Sequence, residues 1–258
     1  MITALDNNGQ RVYADTVDRG TPCFCQVCGE PMRLKRGTRR MAHFSHLPES
    51  QCSYAAEKGE WHIRMQNYFP KETQEKVFRD ENTKEIHVAD VFLEESNTVL
   101  EFQHSRISLE EYMKRTIFHT SNKRRIVWLF DESSSSKNRT YGRFKAEDDW
   151  YHWIGTPRDF LRYTNIDLMK SYGCYSIFVY TGTEGDAFRR IVDERAGYYD
   201  VMLSDKLVKM EQDMDVDQFF ECDEYWIRRH QARVQASQQQ RSYGTIKINV
   251  LKPRKGHF

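Results

Sequence analysis

The segment from His87 to His104 (HVADVFLEESNTVLEFQH) constrains the fold of this 258-residue chain more than any other stretch. Two strand-like runs flank the polar residues Glu94 to Asn97, so it reads as an antiparallel hairpin with a four-residue loop. Counting inward from both ends, Asp90 faces Glu101, Val91 faces Leu100 and Leu93 faces Thr98. Side chains alternate along a strand, which puts Gln103 with Asp90 and Glu101 on one face. Ala89, Val91, Leu93, Leu100 and Phe102 take the other. Directly opposed residues hold their Cβ atoms about 5 Å apart. Two carboxylates that close repel unless a cation lies between them or one holds a proton. An Asp opposite a Glu-x-Gln therefore reads as a seat for a hard divalent ion, Mg²⁺ or Mn²⁺, with Asp90 and Glu101 as its ligands.

The flanking pattern supplies a frame for that hairpin. Ala55 to Phe69 reads as a helix with Trp61, Met65, Tyr68 and Phe69 on one face, ended by Pro70. A short strand around Gln74 to Phe78 follows, then the hairpin. Ser108 to Thr120 has helical composition, and Arg125 to Phe130 is an apolar run of buried-strand type. The order is α-β-β-β-α-β, an α/β (α+β) arrangement. Beyond a Ser-rich stretch come a strand-like Tyr175 to Tyr180, an expected helix from Asp186 to Ala196, and a strand-like YYDVML. The chain thus divides into a module at 1–53, a core at 54–131, a linker at 132–149, an α/β region at 150–224 and a basic tail at 225–258.

Six cysteines in a chain without a secretory-type N-terminus favour metal ligands or free thiols over disulfides. Cys25-x2-Cys28-Gly29 has the shape of a zinc knuckle, and His43 and His46 supply a second pair fourteen residues on. Zn²⁺ takes four ligands in a structural site: either both histidines join the two cysteines, or Cys52 replaces one of them. Such a closed site leaves no position for a reacting water, so its expected role is structural. The basic run Lys35 to Arg40 lies between the ligand pairs, where the ion would hold it out for phosphate contact.

Formal net charge is only +1, but it is unevenly spread. Glu184 to Glu224 is acidic, whereas Tyr225 to Phe258 carries no Asp or Glu. No apolar run is long enough to span a bilayer, so membrane partners are not expected and a cytoplasmic location is. The helix before the hairpin offers Glu57 and Glu60 as a further carboxylate, helical phase favouring Glu57. His62 on that helix and Arg115 on the next are candidates for proton or phosphate contact, with hydrogen-bonded and solvated side chains as the plainer alternatives.

Several pieces together resemble the competence-protein CoiA-like family, nucleases of the PD-(D/E)XK superfamily with a restriction-endonuclease-like fold. They are CQVCGEPMRLKRG with HFSH, then GEWH, HVADV, VLEFQHSRIS and RIVWLFD, in the family's order over about two fifths of the chain. The resemblance implies a metal-dependent DNA nuclease with an N-terminal zinc-ribbon-like module. It assigns the metal carboxylates to Asp90 and Glu101, the glutamine to Gln103 and the helix acid to Glu60. A later position, often tyrosine in the family, falls on His119. In nucleases of this plan the third motif residue is usually lysine; Gln103 can orient a water but cannot take its proton. The expectation is a Mg²⁺- or Mn²⁺-dependent deoxyribonuclease serving DNA uptake or defence against foreign DNA. The rival is a zinc-containing nucleic-acid-binding or adaptor protein that no longer cuts. Whether a second copy or another protein joins it is left open.

Overall fold

The β8–α2–β9 crossover sets the architecture of the large sheet. The hairpin strands β7 (Ile86–Leu93) and β8 (Thr98–Gln103) are followed by α2 (Leu109–Ser121), which returns the chain to β9 (Arg125–Asp131) parallel to β8. A parallel neighbour needs such a crossover, because a tight turn can only reverse the chain. Ser108 caps α2 by accepting the Glu111 amide at 3.1 Å. The computed structural model describes residues 1–54, 58–105, 107–131, 133, 143–147, 150–154, 176–180, 182, 184–194, 200–221, 228 and 232.

In the N-terminal module, β1 (Thr3–Leu5), β2 (Arg11–Tyr13), β3 (Cys23–Phe24), β4 (Pro31–Lys35) and β5 (His43–His46) form a sheet of order β2-β1-β3-β4-β5. Met1, Ala4, Cys23, Cys25, Met32 and Phe44 make its small core. Next come α1 (Glu60–Gln66) and β6 (Gln74–Arg79), which pairs with β7. The expected α-β-β-β-α-β order is present.

The same sheet continues through β10 (Arg143–Glu147), β11 (Trp150–Ile154), β12 (Ser176–Tyr180), β13 (Ala187–Glu194) and β14 (Asp200–Lys209). Its order is β10-β11-β14-β13-β12-β9-β8-β7-β6, with β12 parallel to β9. The end of the expected linker is therefore a strand. The helix expected from Asp186 to Ala196 is corrected to β13. Two hydrogen-bonding neighbours, β12 and β14, override its local helical preference.

One face of the sheet packs on α2 through Val99, Tyr112, Ile126, Trp128 and Phe130, with the Trp128 indole donating to Thr116 Oγ1 at 3.1 Å. On the side of α1, Trp61 makes ring contacts with Phe102, Tyr180 and Phe188. Met1–Val216 form one compact unit and Asp217–Phe258 a second. Most of the basic tail lies outside the described residues. No helix among the described residues is long and apolar enough to cross a membrane.

Candidate functional site

The zinc-ligand residues come together around the knuckle. Gly29, at φ +75°, closes the turn by donating its amide to Cys25 O at 2.9 Å. The ligand atoms of Cys25, Cys28, His46 and Cys52 lie within 4.8 Å of one another, with Cys28 Sγ and His46 Nε2 3.4 Å apart. Three sulfurs and one imidazole suit zinc. A tetrahedral ion with bonds of about 2.3 Å would hold sulfurs roughly 3.8 Å apart, so this donor set fits. Burial, with the neighbouring thiols adding to it, pushes the Cys52 thiol up to about 12.

Cys52 stands in this cluster and His43 does not, which decides between the ligand sets considered above. The register pairs His46 with Met32, beside the knuckle, and His43 with Lys35, at the far end of β4. Three residues of strand separate the histidines by roughly 10 Å and turn their side chains to opposite faces. His43 Nδ1 instead lies 2.8 Å from Met41 O.

The basic connection between β4 and β5 is anchored in part. Arg36 donates to Asp15 O at 2.9 Å and Ala14 O at 3.3 Å, while Arg39 and Arg40 are exposed.

The hairpin has the expected register: Val91 pairs with Leu100, Phe92 with Val99 and Leu93 with Thr98. Asn97, at φ +50°, closes its loop by donating to Glu94 O. At Asp90 a side chain takes over from the ladder, as Oδ2 accepts the Phe102 amide at 2.8 Å. Asp90 and Glu101 are both buried, at 4% and 2% exposure, so neither charge is relieved by water.

Each acid has basic neighbours from a different direction. Lys58 Nζ lies 2.6 Å from Asp90 Oδ1, and His62 Nε2, on α1, is 2.8 Å from the same oxygen. Gln66, at the end of α1, donates to Asp90 O at 2.6 Å. Arg115 Nη1, on α2, is 3.5 Å from Glu101 Oε2, and His119 Nε2 is 4.0 Å from Oε1. The electrostatics follow. Asp90 pays for burial with the desolvation that raises a carboxyl pKa, but His62 and Lys58 outweigh it and hold the acid well below its usual range. Burial, reinforced by Asp90, raises Glu101 to about 8 despite Arg115. Burial lowers His119 to about 3 and keeps that imidazole neutral.

Lys58 is shared. Besides Asp90 it lies 3.0 Å from Glu75 Oε1 and donates to Gln66 Oε1 at 3.2 Å. Glu75 is fully buried, at φ +48°, and its Oε2 accepts the amides of Ile2 and Thr3 and the Thr3 hydroxyl at 2.9, 2.9 and 2.7 Å. The Lys58 cation holds it down at about 2 against the burial that opposes ionisation. A line of charge thus runs from β1 of the N-terminal module to Asp90.

The other expected site residues are placed as follows. Gln103 donates its side-chain amide to Ser105 O at 2.6 Å. Glu60, the first residue of α1, is exposed, whereas His62 from the same helix reaches Asp90. Glu57 lies outside the described residues. Lys58, Gln66 and Glu75 were not anticipated. Lys58 sits among the acids of EKGEWH, where a lysine was a usable hint, but Glu75 meets Asp90's partner only through folding.

A hard divalent ion fits the hairpin acids by donor chemistry. A carboxylate offers about four lone-pair directions; Lys58 takes one of Oδ1 and the Phe102 amide one of Oδ2, with His62 Nε2 2.8 Å from Oδ1. One direction of Oδ2 remains, and Glu101 is a buried acid kept protonated chiefly by burial and by its neighbour's charge.

No curated protein and no solved structure is significantly similar to the chain. The model of the competence protein CoiA N-terminal domain matches residues 7–55, which include the knuckle and His46. That of the CoiA nuclease-like domain matches residues 82–154, which include both hairpin acids. The two domains are matched in order over a mixed α+β fold, so over residues 7–55 and 82–154 the chain is similar to the competence protein CoiA-like family.

Proposed function

We propose that this protein is a metal-dependent nuclease that hydrolyses phosphodiester bonds in DNA. The observation that carries the reading is the buried, oppositely partnered acid pair Asp90 and Glu101 within the nuclease-like match. Asp90 and Glu101 would hold Mg²⁺ or Mn²⁺. When bound, such an ion lowers the pKa of a water and stabilises charge on the phosphodiester. Asp90 is kept ionised and fixed in place by Lys58, His62 and the Phe102 amide, ready to bind a cation. Arg115, 3.5 Å from Glu101 Oε2, would contact the phosphate beside it. Gln103 orients the attacking water through its amide. The cysteine–histidine cluster would hold structural Zn²⁺ and present the Arg39–Arg40 loop to the DNA backbone. A cytoplasmic site of action, in processing incoming DNA or in defence against it, accords with this chemistry.

One observation favours a second reading. Lys58 already satisfies Asp90 Oδ1, and the Gln103 amide is bonded to Ser105, as in a nuclease-like fold that binds DNA without cutting it. One assay separates them. Linear, circular and single-stranded DNA are incubated with the protein and Mg²⁺ or Mn²⁺, alongside Asp90→Asn and Glu101→Gln. Cleavage that needs the ion and is lost in both variants is the expected result. DNA binding without cleavage in every condition would leave the binding protein.

A further inference from the structure

The carboxyl-terminal edge of the large sheet carries a side-chain pair that the acidic hairpin does not use. Because β8 and β9 run parallel, His104 and Asp131 emerge at the same edge, beyond Gln103. Ligands of open α/β sheets bind outside that edge. There His104 Nδ1 lies 2.6 Å from Asp131 Oδ2. The two partners differ sharply in exposure: the aspartate side chain is 1% exposed and the imidazole 51%. Asp131 Oδ1 accepts the Ser133 amide at 2.8 Å, which fixes the carboxylate. The imidazole also stacks on Trp61, with ring centroids 5.9 Å apart and planes at 28°. Trp61 precedes His62, whose Nε2 touches Asp90.

This geometry leaves little freedom. An ionised carboxylate only accepts, so Nδ1 donates to it and Nε2 faces outward. Asp131 fixes Nδ1–H and, with Trp61, holds the ring plane. A carboxylate sunk in a sheet edge to serve one exposed imidazole is the arrangement of a proton-transfer group, whereas a surface ion pair leaves both partners in water. Gln103 next door cannot supply that function, since an amide neither takes nor gives a proton at neutral pH. Gly59, at the start of α1, lies against the His104 ring, and its neighbour Lys58 contacts Asp90, so the imidazole and Asp90 meet the same turn.

We propose that His104, positioned by Asp131, is the general acid that protonates the leaving sugar oxygen. The assignment rests on the nuclease reading above. As a water oxygen bonds to phosphorus, the bond from phosphorus to the leaving sugar oxygen breaks. Its electron pair takes the proton from His104 Nε2, and the sugar departs as an alcohol. The attacking water's surplus proton goes to solvent, and the neutral imidazole regains one from solvent. Nδ1–H stays on Asp131 throughout.

The test compares leaving groups in the full-length protein with Mg²⁺ or Mn²⁺. One oligonucleotide is ordinary DNA; two others carry sulfur in place of the 3′ or the 5′ bridging oxygen at one linkage. A thiolate leaves without protonation, so a missing acid does not matter there. His104→Ala and Asp131→Asn are expected to cut ordinary DNA slower by ~10²-fold or more, yet to cut the sulfur linkage within about threefold of the unmodified protein. His104→Gln, which keeps bulk at the edge, should behave like His104→Ala. Equal losses on both substrates, or no loss on either, would overturn the acid while leaving the nuclease reading standing. If the unmodified protein cuts neither substrate, the nuclease reading fails and the acid with it.

Discussion

Lys58 Nζ sits 2.6 Å from Asp90 Oδ1, and the same ammonium reaches Glu75 Oε1 at 3.0 Å. One cation therefore serves two buried carboxylates, one on the hairpin and one tied to the N-terminal strand β1. Lys58→Met should leave both acids buried without it and cost ~3–5 kcal/mol in urea unfolding. Glu75→Gln should weaken that loss, because the two sites are coupled. Simple additivity in the double variant would show that Lys58 and Glu75 act separately.

The pH dependence of stability should carry the mark of Glu101. Its folded pKa is raised to about 8, chiefly by burial and then by Asp90. Between its unfolded value, about 4.3, and 8, the folded state binds more protons than the unfolded chain. Its contribution to metal-free stability is thus complete at low pH and lost as pH rises through about 8. Asp90 works in the opposite sense, losing its contribution only in acid. Thermal unfolding of the metal-free protein should show Glu101→Gln gaining on the unmodified chain from pH 6 to pH 9. A parallel pair of profiles would mean that Glu101 is ionised in the folded state.

Zinc content should distinguish Cys52 from His43. With bound metal measured by native mass spectrometry, His43→Ala should retain about one ion per chain, while Cys52→Ser should lose it or bind far more weakly. Retention in Cys52→Ser together with loss in His43→Ala would reverse the ligand set drawn here.

DNA binding should respond unequally along the basic connection. Arg39→Ala and Arg40→Ala each remove an exposed cation and should lower the slope of log affinity against log salt by about 1. Arg36→Ala should instead lower melting temperature, since its guanidinium ties the loop to Ala14 O and Asp15 O. An unchanged salt slope in the Arg39 and Arg40 variants would remove this loop from the interface.

Local pattern was a sound guide wherever the chain makes its own neighbours. Val91 to Leu93 and Thr98 to Leu100 alternate so clearly that register and loop follow from periodicity. The knuckle is as local, since Cys25, Cys28 and Gly29 lie on one turn. Pattern failed at Ala187–Glu194, where flanking strands decide for β; the resemblance put the helix acid at Glu60, which is exposed, while His62 of the same helix reaches Asp90. It was silent on pairs brought together from afar.

The amino-acid sequence by itself determined the hairpin, the order of elements around it and which residue types stand ready to bind metal. Those follow from short-range periodicity and turn chemistry, which a chain carries in any context. Only the tertiary structure decided that Cys52 takes the place expected of His43, that Lys58 lies between Asp90 and Glu75, and that Asp131 stands behind His104. Each depends on strand register or on burial across a sheet edge. Burial is what turns a nearby charge into a strong constraint, and it exists only once the layers have packed.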